Sequence, residues 1–184
     1  MSARVERCLT MVLLLGACRQ TAERPQGVGH LEVGWNGQNG GTISAPATAG
    51  WCALRRVLEI RAVRGDTGVA LALYPGKTLG PGVYRVVDGA RAESVPPAAR
   101  IAVRWLTPNT VQGFRGDSGR VDMERSSSGR LSGTVRARAR SVIDTQRISL
   151  RGTFRDLSVL PDSQGCIQPQ SADDDADAGD TGIH

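Results

Sequence analysis

Apolar and polar side chains alternate with a period of two along most of the chain, the mark of strands that bury one face. The alternation begins at Leu31, Val33 and Trp35, interleaved with His30, Glu32 and Gly34. Asn39-Gly40 tolerates positive φ, so residues 37–41 are predicted to reverse the chain into a second strand over 42–47. Trp51 and Cys52 come next, and two further runs, 57–64 and 69–74, flank Gly65-Asp66-Thr67-Gly68 as a hairpin. Residues 54–62 include good helix formers, but Leu58, Ile60 and Ala62 alternate with Glu59, Arg61 and Val63, which decides for a strand. Residues 83–87 and 100–106 are predicted strands on either side of a loop, 90–99, that carries Pro96-Pro97.

The last third has the cleanest pattern. Residues 111–115 and 120–125 are predicted as strands around a Gly116-Asp117-Ser118-Gly119 turn, and Ser126-Ser127-Ser128-Gly129 marks the next reversal. Two long strands close the pattern. Leu131, Gly133, Val135, Ala137 and Ala139 face one way, with Ser132, Thr134, Arg136, Arg138 and Arg140 facing the other. Ile148, Leu150, Gly152 and Phe154 then alternate with Ser149, Arg151, Thr153 and Arg155. Turns at short, regular spacing predict an all-β domain, a single antiparallel meander of about 8–10 strands closed as a sandwich or a barrel.

The N-terminal residues do not fit this pattern. Arg4 and Arg7 offset Glu6, and residues 9–17 are almost wholly apolar, too short for a spanning helix of roughly 20 residues and typical of a signal peptide. The run ends in Leu15-Gly16-Ala17-Cys18, which resembles the lipobox of bacterial lipoproteins, and the folded domain resembles those of small envelope lipoproteins. The resemblance implies a signal helix over 1–17, cleavage before Cys18 and a covalent lipid on the Cys18 sulfur. Two or three acyl chains anchor stably where one does not, since each buried methylene contributes about 0.8 kcal/mol. Arg19 is not the aspartate that holds many such proteins in the inner membrane, so the implied address is the outer membrane of a bacterial envelope.

These boundaries divide the chain into a signal peptide (1–17), a lipidated tether (18–29), a β domain (30–166) and a disordered acidic tail (167–184). Cys8 leaves with the signal and Cys18 takes the lipid, leaving Cys52 and Cys166, which in an exported chain are expected to form one disulfide. Closing a loop of roughly 110 residues would contribute about 4–5 kcal/mol on chain-entropy arithmetic.

Charge is uneven. Residues 27–166 carry 19 Lys and Arg against 11 Asp and Glu, a balance of +8, whereas the tail beyond is purely acidic. Arg136, Arg138, Arg140, Arg151 and Arg155 share one predicted face and are the candidates for anion binding. Asp122 and Glu124 on the preceding strand are the nearest expected counter-charges. The partners expected for such a face are anionic lipid headgroups, a surface glycan or another envelope protein; nucleic acid is excluded by the compartment.

Catalytic chemistry has little to stand on. His30 and His184 are the only histidines in the sequence, neither has the setting of a general base beside a nucleophile, and a non-enzymatic domain is expected. Asp173, Asp175, Asp177 and Asp180 imitate the start of a calcium loop, but Ala178 stands where that loop needs its glycine, so no metal site is expected. No cofactor is expected beyond the covalent lipid. Two functions follow: a lipid-anchored binding or structural β domain, or a lipocalin-like carrier holding a small apolar ligand inside a hollow barrel.

Overall fold

A computed structural model of the chain describes residues 29–37 and 40–161. The predicted signal peptide, the tether before Gly29, Asn39 of the first turn, Cys166 and the acidic tail lie outside the described residues. Ten strands follow one another: β1 (Gly29–Asn36), β2 (Gly41–Cys52), β3 (Val57–Arg64), β4 (Thr67–Tyr74), β5 (Gly82–Val86), β6 (Ala98–Thr107), β7 (Thr110–Arg125), β8 (Leu131–Ser141), β9 (Arg147–Leu157) and β10 (Val159–Pro161). A single 3-10 turn, Gly89–Arg91, stands between β5 and β6.

The order β1-β9-β8-β7-β5-β6-β4-β3-β2 closes on itself because β1 also pairs with β2. Nine strands therefore form a closed barrel, and closure removes the unpaired edges that an open sheet would expose. Between the two architectures left open by the sequence, the barrel is the one formed. β10 adds to β2 in parallel, with Val159 opposite Ala49. β5 is the departure from a simple meander. It pairs with β7 at residues 120–123, while β6 takes the other end of β7 at 110–115, so β5 wedges the wall open over part of its height.

Three local expectations need correction. Gly116-Asp117-Ser118-Gly119 is not a turn: β7 runs through it, and the pairing with β8 shifts register between Gly116 and Ser118, as a bulge does. Residues 42–47 and 51–52 are one strand. β2 pairs with β1 up to Ala47 and with β3 from Ala47 onward, so it hands over from one neighbour to the other without ending. The predicted loop over 90–99 holds the 3-10 turn, and β6 starts two residues earlier than expected, at Ala98.

Apolar side chains pack inside the barrel. Inward side chains from all nine ring strands make one contiguous cluster, with Leu31, Leu58, Leu71, Leu131 and Phe154 fully buried. Trp105 stacks between Trp35 and Phe114, both centroid separations being 5.1 Å. Such near-parallel pairs contribute about 0.5–1.5 kcal/mol beyond their buried area. Gly41 makes room for this stack, since a Cβ there would come within 2.5 Å of the Trp35 indole. A smaller cluster of Cys52, Val57, Tyr74, Ala92 and Ala98 joins the residues after β5 to the barrel wall.

Candidate anion-binding surface

Alternation along β8 and β9 sends Val135, Ala137, Ala139, Ile148, Leu150 and Phe154 inward, so the residues between them must face out. Arg136, Arg138, Arg140, Arg151 and Arg155 are all exposed on that outer face. Cross-strand register then aligns arginine with arginine. Arg120 of β7, Arg136 of β8 and Arg151 of β9 form one row, and Arg115, Arg140 and Arg147 form a second. Arg138 stands between the rows, flanked by Ser118 and Ser149. Arg155 lies apart, next to His30 of β1. His30 holds the Ser44 hydroxyl at 2.8 Å, a polar contact on the outer face.

Three carboxylates pair with arginines of this wall, and Glu32 of β1, exposed opposite Thr153, borders the same outer groove as Arg136 and Arg151. Asp122 pairs with Arg120 at 3.1 Å, Asp117 at the bulge with Arg147 at 3.3 Å, and Asp88 with Arg140 at 2.5 Å. Among the described residues, no carboxylate lies within ion-pair distance of Arg136, Arg138, Arg151 or Arg155. The counter-charges expected at Asp122 and Glu124 therefore do not serve those four. Asp122 is engaged by Arg120 and by the Thr134 hydroxyl.

Arg115, Arg120 and Arg147 belong to the wall although the sequence pattern does not assign them to it. With 116–119 read as a turn, Arg115 and Arg120 fall on separate strands. The bulge instead inserts one residue and restores them to the same face five positions apart. Arg147 opens β9 one residue before the alternation becomes visible at Ile148.

Beside the wall, residues after β5 are pinned by two carboxylates. Asp88 accepts from the Gly89 amide at 2.7 Å and caps the 3-10 turn; that bond chiefly holds its carboxyl below the ordinary carboxylate range, with Arg140 adding to it against partial burial. Glu93 is lowered first by its hydrogen bond from Arg55, at 2.6 Å. Depressed carboxylates contribute stability that is complete above the usual carboxylate range and is lost as pH falls through the folded value. Acidification below about pH 4 is therefore expected to release this segment. The Ala92 methyl, fully buried at neutral pH, should shift while Leu71 inside the barrel does not; parallel movement of both would contradict this attachment.

Cys52 is disulfide-bonded, and the sequence's other cysteines, Cys8, Cys18 and Cys166, lie outside the described residues. The lipidation candidate Cys18 is likewise outside them. Groups of three or more His, Cys, Asp or Glu that could hold a metal do not occur among the described residues. No family model, no curated protein and no solved structure matches the chain.

Proposed function

We propose that the chain is a lipid-anchored lipoprotein of the bacterial envelope whose barrel binds an anionic partner through its outer arginine wall, without catalysing a reaction. The observation that carries this reading is the alignment of Arg120-Arg136-Arg151 and Arg115-Arg140-Arg147 across three strands. Like charges directly opposite one another destabilise a sheet, so such rows cost stability that a neutral surface would keep. An external anion offsets that cost. The same wall argues against a barrel that spans a bilayer, where the outward face must be apolar.

Anionic lipid headgroups are the partner that the anchor favours. Residues 18–28 span at most about 40 Å when extended, so lipid on Cys18 would hold the wall close to the membrane surface. A barrel is also the architecture of lipocalin-like carriers. The contiguous side-chain cluster inside this one favours use of its outer surface.

Arg136 separates binding from stability, because it stands between Arg120 and Arg151. Arg136→Glu should raise the stability of the barrel by about 0.5–1 kcal/mol as repulsion is replaced by attraction. Combined with Arg151→Glu, it should weaken binding to anionic vesicles on the order of 100-fold at low salt, since each arginine near the surface supplies roughly 1 kcal/mol and each glutamate is repelled, and it should flatten the salt dependence. Denaturant titration and vesicle co-sedimentation measure the two effects. Falling stability together with unchanged binding would remove the wall from the functional account.

A further inference from the structure

The neighbouring side of the barrel carries a concave site of different character. Register aligns Arg61 of β3, Ala70 of β4, Ala102 of β6 and Arg115 of β7 in one row, and Glu59, Ala72 and Arg100 in the next. Three outward-facing alanines thus sit side by side where the flanking strands carry long side chains. The result is a trough of ≈ 290 Å³ on the outer wall, floored by alanine and bordered by arginine, Tyr74 and the segment at Val87 and Gly89. This volume is near the lower end of those that hold small molecules.

The charges around it are unequally matched. Arg61 is engaged by Glu59 and Arg55 by Glu93. Arg100 is half-buried, donates to the Tyr74 hydroxyl at 3.4 Å and lies within electrostatic reach of Glu93. Arg115 acts at longer range on Asp88, whose ion-pair partner is Arg140. Among the described residues, neither Arg100 nor Arg115 has a carboxylate at ion-pair distance. A planar guanidinium pairs with a carboxylate through two parallel hydrogen bonds and also stacks on aromatic faces. The three alanines present only methyl groups to the trough, and its ≈ 290 Å³ has room for a ring.

We propose that this trough binds a small aromatic carboxylate, its ring on the Ala70, Ala72 and Ala102 floor and its carboxylate held by Arg100 and Arg115. The trough shares Arg115 with the edge of the arginine wall, but its test reads a soluble ligand at the alanine floor and does not depend on membrane binding. The charge and the ring each have a defined support: removing the carboxylate leaves the two guanidiniums unmatched, and enlarging the floor removes the seat.

Titration of the full mature chain, with alanine methyls labelled with carbon-13, tests the site using 2-naphthoate and its uncharged counterpart 2-naphthamide. Naphthoate should shift the Ala70, Ala72 and Ala102 methyls together in a saturable way. Naphthamide, and naphthoate against Arg100→Gln, should bind at least about tenfold more weakly, the loss of a charge-assisted pair. Ala102→Leu projects into solvent at an exposed position and should abolish the response while leaving the barrel folded, which keeps the test decisive if Arg100→Gln misfolds. Equal binding of the acid and the amide, shifts confined to other methyls, or undiminished binding to Ala102→Leu would overturn the proposal.

Discussion

Truncating Phe154 to alanine is expected to cost about 3–5 kcal/mol, a large share of the roughly 5–15 kcal/mol that holds such a domain together. Phe154 is fully buried in β9 and belongs to the apolar cluster inside the barrel. Its ring reaches across to Gly133, its register partner on β8, where a Cβ would stand 2.5 Å from the ring's ζ carbon. The glycine provides the space and the aromatic ring covers the exposed backbone. Removing the ring leaves a void walled by strands that are paired on both sides, so collapse can recover little of the loss. Urea titration should show a lower midpoint with little change in slope. A cost under about 1 kcal/mol would mean that the ring borders an open cavity, and the carrier reading would gain accordingly.

Gly119→Ala is expected to be nearly as damaging, on the order of 3 kcal/mol, for a backbone reason. Gly119 has φ +127, a conformation that side chains disfavour, and its Cβ would overlap the Arg136 carbonyl oxygen and lie 2.6 Å from the Ala137 α carbon. These are atoms of the paired strand, not the movable end of a side chain. Relief requires β7 to move off β8 at the bulge, which loosens the alignment of Arg120 with Arg136. Vesicle binding should therefore fall although no arginine is removed. Gly129→Ala is the control. It also has positive φ, at +79, but nothing lies within 4 Å of the added carbon, so strain of about 1 kcal/mol is all it should show. Equal costs at the two positions would place the effect in the φ angle alone.

The same bulge shows what could be read from the chain and what could not. Alternation identified most of the strands and the inward faces of β1, β3, β8 and β9, because burial against a core on one side leaves a period of two in the side chains. It also placed Arg136, Arg138, Arg140, Arg151 and Arg155 on the outer surface, where they stand. Gly116-Asp117-Ser118-Gly119 has the composition of a turn, and only the continuous partner strand β8 makes it a bulge; local composition carries no record of what lies opposite. For that reason the alternation does not bring Arg115 and Arg120 onto the face. The insertion of β5 beside β7 and the return of β10 to β2 were illegible on the same ground, being long-range pairings of short segments. The trough was hidden differently. Ala70, Ala72 and Ala102 read individually as weakly apolar strand residues, and only cross-strand register brings them together.

Closure into a barrel also depends on sequence-distant contacts. A pattern of paired strands fits two stacked sheets as well as one closed sheet, and the deciding contact is β1 against both β2 and β9. Gly152 of β9 lies directly against β1 in that double pairing; a Cβ there would overlap the Glu32 carbonyl oxygen and lie 2.9 Å from the Val33 α carbon. A glycine in a strand signals close approach of another backbone, without saying which one.

The anchored-lipoprotein account rests most directly on Cys18, and the N-terminal peptide of the mature chain, isolated from bacterial membranes and weighed by mass spectrometry, tests it. The account predicts a peptide that begins at Cys18 and carries a diacylglyceryl thioether, absent when Cys18→Ala is expressed. A peptide that retains residues 13–17, or one that begins near Cys18 with an unmodified thiol, would contradict it.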